Sequence, residues 1–366
     1  MYSRSLAYYS IYDIYSYVFP PEKLEISIEK CLPDKYIYFF NYGRDALYKL
    51  LINRRKYTNK RYILIPGWGC PVILESVKLA GFIPILLDIS PFSLKMNIEE
   101  IVYLNNRYDV DSVIIVAENG ILYAKDEIKI LKSEGLYIIA DYCIAWQNLE
   151  KADTTLSDAE VFSGGFAKPI SGVHLGIIST HNKIDGLDNL TYRISLFDLI
   201  KIVIHLALQN RIIYYFIKDF IDNYLINRIE HCNININTGT RNCCAVAIKS
   251  MNRLKNMKSE WVILQNDIIS ILNEHSLKSP VLQHSKYLQS KILFEDNLKS
   301  NKYGYKIHYH KQNRIDLLSD LGSKKIDSDY ENIKNIKDNY ISMSINLNSI
   351  KNSKNFIDAF RNDITL

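Results

Sequence analysis

Val161-Phe162-Ser163-Gly164-Gly165-Phe166-Ala167-Lys168-Pro169-Ile170-Ser171-Gly172-Val173-His174-Leu175-Gly176 is the stretch on which the reading of this chain turns, and a β-like run, Gly176 to Thr180, follows it. It sets one lysine in a turn built from glycine, serine and alanine. Two readings compete. In one, the turn is a surface loop and Lys168 points to water. In the other, the Lys168 amine forms a Schiff base with a bound carbonyl cofactor, while Ser163 and nearby backbone N–H groups hold a phosphate. The sequence on either side separates them.

Upstream, short apolar runs alternate with helical patterns. Tyr36 to Phe40 is mostly aromatic and leads through Asn41-Tyr42-Gly43-Arg44-Asp45-Ala46-Leu47 into an apolar pattern that includes Leu50 and Leu51. This is a loop feeding a helix start, whose first N–H groups lack partners and attract anions; Arg44 adds a side-chain charge there. Strands are expected at Tyr62 to Ile65, Phe82 to Leu87, Ser112 to Val116 and Leu136 to Ala140. Helices are expected at Val72 to Leu79, stopped by Gly81, and Lys125 to Glu134, stopped by Gly135. Such alternation predicts βαβ units and an α/β fold with a mainly parallel sheet. Ligands then bind beyond the carboxyl ends of the strands, and Trp68, Asn119 and Asp141 all stand at such ends.

Downstream the pattern changes. Residues 194–229 are strongly apolar but broken by Asp198, Lys201, Arg211, Lys218 and Asp219, so no charge-free run is long enough for a membrane span. Two long helices packed on the body or on a partner subunit are expected, with an in-plane membrane contact as the alternative. Ala245 to Leu272 has the repeat of one long amphipathic helix. Short strand-like pieces at 291–294, 305–308 and 341–345 interrupt a polar remainder. The division expected is a large α/β domain over 1–245 and, over 246–366, the long helix with a small C-terminal α+β domain.

The 366 residues suffice for a large core, and 48% hydrophobic with 23% charged residues is the balance of an ordinary soluble globular protein. A net charge of +5 is too mild and dispersed to call for nucleic acid. The 27 tyrosines accompany abundant Ile, Lys and Asn, all with A/T-rich codons, so they do not mark a binding surface. The 6 cysteines form no C-x-x-C pair and no metal spacing; Cys243 and Cys244 read as small residues on a helix, and His308 and His310 lack further ligands, so no metal site is expected. With no apparent signal peptide, this implies a reducing cytoplasm.

Asp141 supplies what the lysine turn needs. Pyridoxal phosphate (PLP) chemistry requires an amine, a carboxylate that keeps the ring nitrogen protonated, and donors for the phosphate. Lys168 follows Asp141 by 27 residues, room for one connection and a strand between two loops at the same sheet edge.

From about Tyr42 to Thr180 the chain resembles the DegT/StrS-type aminotransferases, PLP enzymes that aminate keto groups of nucleotide-linked sugars. Gly43-Arg44-Asp45-Ala46-Leu47 and Pro66-Gly67-Trp68-Gly69-Cys70-Pro71 look like a Gly-Arg, Cys-Pro branch of that family. Gly81-Phe82-Ile83-Pro84-Ile85-Leu86-Leu87-Asp88, Asp141, and the Ser163 to Lys168 spacing match its other motifs. The resemblance implies the type I aminotransferase fold and a homodimer. It implies Lys168 as the catalytic amine and base, Asp141 on the ring nitrogen, and Ser163, Gly43 and Arg44 on the phosphate; the family's ring-stacking aromatic falls on Cys70, with Trp68 beside it as the aromatic candidate for binding the cofactor. The substrates implied are an amino donor, glutamate by analogy, and a keto sugar. Lys168 as base also requires a pKa below that of a solvated lysine. A sugar-dehydratase branch carries His at the lysine position, which this chain does not. Departures stand at Ala117, Ala140 and Ile144 and at Val173 to Leu175, where a Glu-Gly-Gly is usual. They motivate the alternative of a non-catalytic protein on this fold that binds a sugar nucleotide or a protein partner.

Overall fold

The computed structural model describes residues 9–21, 32, 35–165, 168–185, 187, 190–209, 213, 238–289, 291–295, 309–311, 330, 331, 334, 335, 340–345, 350 and 353–365. Its centre is a seven-stranded sheet of β1 (Tyr36–Phe40), β2 (Tyr62–Pro66), β3 (Ile83–Leu87), β4 (Val110–Val116), β5 (Tyr137–Asp141), β6 (Ala159–Ser163) and β7 (Gly176–Thr180). Their order across the sheet is β1-β7-β6-β5-β4-β2-β3. From β3 to β6 all pairings are parallel, whereas β7 runs antiparallel to both β6 and β1. β1 therefore points the same way as the five parallel strands. The expected mainly parallel α/β sheet is present.

The strands are short apolar runs because both faces of the sheet are covered. All seven residues of β4 are buried. Successive residues feed opposite cores: Leu64 and Ile138 lie in one apolar cluster, Ile63, Ile65 and Ile139 in the other. The covering helices include α1 (Ile11–Val18), α2 (Gly43–Arg55), α3 (Pro71–Leu79), α4 (Ile98–Tyr108) and α5 (Lys125–Ser133). Pro71 opens α3, where a missing N–H costs nothing, and the Asn97 side chain caps α4 by accepting from Glu99 N at 2.8 Å.

α6 (Leu196–Leu208) makes up most of the described part of the apolar segment near 194–229. It buries Ile202 and Leu208 and leaves Leu196 and Phe197 exposed. The second helix expected there lies outside the described residues. Among the described residues no helix is long and apolar enough to cross a membrane.

The single helix expected over 245–272 is two: α7 (Arg241–Asn256) and α8 (Lys258–Glu274), joined at Met257 with φ −100° and ψ 14°. No Gly or Pro marks the break, so the apolar repeat passes through it unseen. The 245/246 division falls within α7. α9 (Pro280–Gln283) then leads to a three-stranded antiparallel sheet of β8 (Lys291–Glu295), β9 (Tyr309–Lys311) and β10 (Tyr340–Ser344), ordered β8-β10-β9, and α10 (Ser353–Thr365) packs on α8. The strand expected at 305–308, with His308, lies outside the described residues. A buried amide ties this end to the large sheet. Asn148 Nδ2 donates to Gly120 O (2.9 Å) and Leu288 O (2.8 Å), while its Oδ1 accepts from Leu288 N (2.9 Å).

Candidate active site

The common direction of six strands delivers several loops to one edge of the sheet. β1 passes through Asn41 and Tyr42 into α2, β2 leads to Trp68 and Cys70, β4 to Glu118, β5 ends on Asp141, and β6 ends on Ser163 and enters the Lys168 turn. Gly176, the first residue of β7, pairs with Phe40 on one side and Ser163 on the other. That register sets the start of α2 against Ser163. A Cβ built on Gly43 would lie 2.8 Å from Ser163 Cβ, 3.3 Å from its Oγ and 3.4 Å from Cys143 Sγ. A Cβ on Gly176 would lie 2.1 Å from Tyr42 O. Only glycine permits both approaches.

No side chain caps α2. Arg44 lies beside this end, its guanidinium 4.4 Å from the centre of the Tyr42 ring. Its Nε is buried without a hydrogen-bond partner and reaches Asp45 Oδ1 only at 3.9 Å. The helix start, the Ser163 hydroxyl and this guanidinium form a donor set suited to a phosphate.

The lysine turn is closed at its base. Gly164 N donates to Leu175 O (2.7 Å), Gly172 N to Gly164 O (2.8 Å) and Lys168 N to Gly165 O (3.1 Å). Trp146 braces it by donating Nε1–H to Ser163 O at 3.0 Å and packing on Phe162 at 4.6 Å. Asp141 is buried, and its Oδ1 accepts Cys143 N–H at 2.8 Å, which fixes the carboxylate at the strand end.

Burial acts against the Lys168 ammonium, but Cys143, Cys70, Asp141 and Glu118 outweigh it, and the lysine titrates above its ordinary range. Burial, then the Asp141 charge, pushes the Cys143 thiol well up. The protein groups alone shift Lys168 upward, whereas the lowering expected for it counted on the cofactor as well as on burial.

Gly43 and Ser163 are thus brought together, Lys168 lies in the field of Asp141, and Arg44 stands at the helix start. Trp68 is 5% exposed and belongs to the large core cluster. Cys70, two residues on, is exposed and is the member of that loop that acts on Lys168. Sequence reasoning had Cys70 at the ring-stacking position of the resemblance but missed Cys143 and Glu118 as neighbours of Lys168. Glu118 had a signal, since it follows a strand at the same edge as Asp141. Asn119 beside it is buried with a left-handed φ of 54°.

No protein-family model and no curated protein sequence matches the chain. Solved structures do. A DegT DnrJ EryC1 StrS aminotransferase from Brucella abortus aligns over 96% of this chain and 95% of its own, at 15% identity and a TM-score of 0.66. Helicobacter pylori PseC, an aminotransferase involved in the biosynthesis of pseudoaminic acid, aligns over 99% of both chains, at 13% identity and a TM-score of 0.68. The chain has the PLP aminotransferase fold. The E. coli GDP-4-keto-6-deoxy-D-mannose-3-dehydratase, solved with bound hydrated PLP, covers 100% of both chains at 14% identity and a TM-score of 0.65. The likeness is full-length, so it takes in α7, α8 and the three-stranded sheet as well as the large sheet.

Proposed function

We propose that this protein is a PLP-dependent aminotransferase that passes an amino group from a donor such as glutamate to a keto sugar carried on a nucleotide, in the formation of glycan precursors. The observation that carries the reading is the convergence of Lys168, Asp141, Ser163 and the uncapped start of α2 at the carboxyl edge of the sheet, on a fold shared along the whole chain with sugar aminotransferases.

The residues fit the cofactor. The buried, unpartnered Arg44 Nε and the glycine-lined gap between α2 and Ser163 suit its phosphate. Asp141 suits the ring nitrogen and Lys168 the aldehyde. Cys70 is the residue we assign to the side of the ring, with Trp68 supporting the turn that presents it. When bound, PLP supplies an electron-accepting ring conjugated to the carbon that gives up its proton.

The chain's own groups do the rest. Asp141 holds a proton on the ring nitrogen. Lys168 Nζ would move the proton at the donor's α-carbon. Engaging Asp141 elsewhere withdraws one of the two carboxylates that favour the Lys168 ammonium, which frees the amine to act as a base. Retention of lysine at position 168 favours amino transfer over dehydration.

We also assign a homodimer, supported by the apolar residues that α6 leaves exposed, and a reducing cytoplasm, supported by four free cysteines among the described residues. Absorption spectra of the purified protein with and without PLP test the main reading. A visible band that bleaches on adding glutamate is expected. A protein that binds no PLP but retains a sugar nucleotide would instead be the non-catalytic alternative, which the departure at Ile144 favours.

A further inference from the structure

The backbone between Lys168 and β7 is held from behind by α1, α6 and α7. Ser171 N donates to Ser250 Oγ of α7 at 3.0 Å. Tyr9 OH bonds the Ser171 hydroxyl and accepts Val173 N–H at 3.2 Å. Val173 itself is strained: its φ is 71°, a left-handed value that β-branched residues rarely adopt, and its side chain is buried. Such a conformation persists only where the surroundings over-determine it.

The next residue supplies the constraint. His174 Nε2 meets Asp198 Oδ2 at 2.9 Å, and its Nδ1 lies 3.7 Å from Cys243 Sγ. The imidazole lies 5.4 Å from the Tyr42 ring, tilted by 39°. Asp198 of α6, Cys243 of α7 and Tyr42 ahead of α2 face it directly; Lys201 of α6 and Tyr17 of α1 contact Asp198, and Arg44 lies on Tyr42. The three ligand-type atoms of His174, Asp198 and Cys243 lie within 4.8 Å of one another, yet they are not built as a chelate. Asp198 and Cys243 address different ring nitrogens, and Lys201 Nζ already sits 3.0 Å from the carboxylate.

We infer that His174 is a positioning residue: gripped between Asp198 and Cys243, it holds Val173 in its left-handed backbone and so fixes the Lys168 turn against Tyr42 and the start of α2. The effect on cofactor binding rests on the PLP reading; the clamp itself does not. Burial disfavours a charged imidazole, but Asp198 and Cys243 more than offset it and raise the His174 pKa to about 10. Burial likewise works against the Asp198 carboxylate, but His174 and Lys201 hold its pKa near 2. The clamp is an ion pair at neutral pH.

The test uses the full-length protein freed of cofactor. Amide hydrogen exchange over residues 168–176 is compared among wild type, His174→Asn, Asp198→Asn, Val173→Gly and the Val173→Gly/His174→Asn double variant, and PLP affinity is titrated by tryptophan fluorescence. His174→Asn and Asp198→Asn are expected to speed exchange in this turn, and to weaken PLP binding, by about tenfold each. In the Val173→Gly background the His174 effect should shrink to about threefold or less, because glycine takes this φ without strain. Unchanged turn exchange in the single variants, or an undiminished effect in the glycine background, overturns the inference. Should the single variants not fold, wild type alone decides. Its turn protection, corrected for intrinsic rates, must fall as pH rises through about 10, and constant protection overturns the clamp. If the variants loosen the turn while wild type binds no PLP, the clamp stands and the cofactor reading falls.

Discussion

Gly43 and Ser163 are in contact across two elements far apart in the chain, and a β-carbon on the glycine would stand 2.8 Å from Ser163 Cβ. The contact sets the width of the gap proposed to hold the phosphate. Gly43→Ala is expected to push α2 away from β6 and to raise the Kd for PLP about tenfold or more, with a modest loss of stability. Fluorescence titration measures the affinity and thermal unfolding the stability. An alanine variant with unchanged affinity would place the phosphate elsewhere.

Lys168→Ala should leave the protein folded, remove the visible band of bound cofactor and abolish amino transfer. Borohydride reduction and peptide mapping of wild type should find the pyridoxyl group on Lys168; its appearance on another lysine refutes the assignment. Asp141→Asn should still bind PLP but slow the half-reaction with glutamate by about a hundredfold or more, because an unprotonated ring is a poor electron sink. Stopped-flow absorbance gives the rate, and near wild-type turnover would reduce Asp141 to a turn former.

The His174–Asp198 pair makes stability depend on pH at both ends. The histidine pKa rises from 6.5 to about 10 on folding, so its contribution is complete below 6.5 and is lost as pH climbs towards 10. The aspartate pKa falls from 3.8 to about 2, so its contribution is complete above 3.8 and is lost as pH drops through 2. Denaturant unfolding of wild type and His174→Asn between pH 6 and about 9 should show the difference between them narrowing with rising pH. A constant difference would mean that His174 acts through packing alone.

Asn148→Ala removes three hydrogen bonds that join the Gly120 turn to Leu288. It leaves buried backbone groups unpaired and should cost about 3 kcal/mol in denaturant unfolding. A loss within about 0.5 kcal/mol, the usual effect of a surface change, would show that this junction carries little of the stability.

The apolar face of α6, with Leu196 72%, Phe197 65% and Val203 52% exposed, is expected to be covered by protein and not by lipid. In flotation with anionic and neutral liposomes the protein should stay at the bottom of the gradient and elute as a dimer without detergent. Floating protein that is released by Leu196→Ser and Phe197→Ser would make this a membrane-associated enzyme.

The chain's own sequence determined the alternation of short apolar strands and helices, and it singled out Gly43, Asp141, Ser163 and Lys168 as candidates near strand ends. Those signals are local: apolar runs bounded by Gly and Pro, a small-residue turn around one lysine, an acid at a strand end. The tertiary structure decided what sits around them. Gly43 meets Ser163 because β7 lies between β1 and β6, a register that no short-range pattern encodes. Cys70, Cys143 and Glu118 surround Lys168 because four separate strands end at one edge. The break at Met257 leaves the helical repeat intact on both sides and so leaves no trace in it. His174 becomes a charged clamp only through Asp198, 24 residues on, and Cys243, 69 residues on. In sequence these are a lone histidine, a helix-start acid and a small residue; packing of α6 and α7 behind the lysine turn is what makes them one unit.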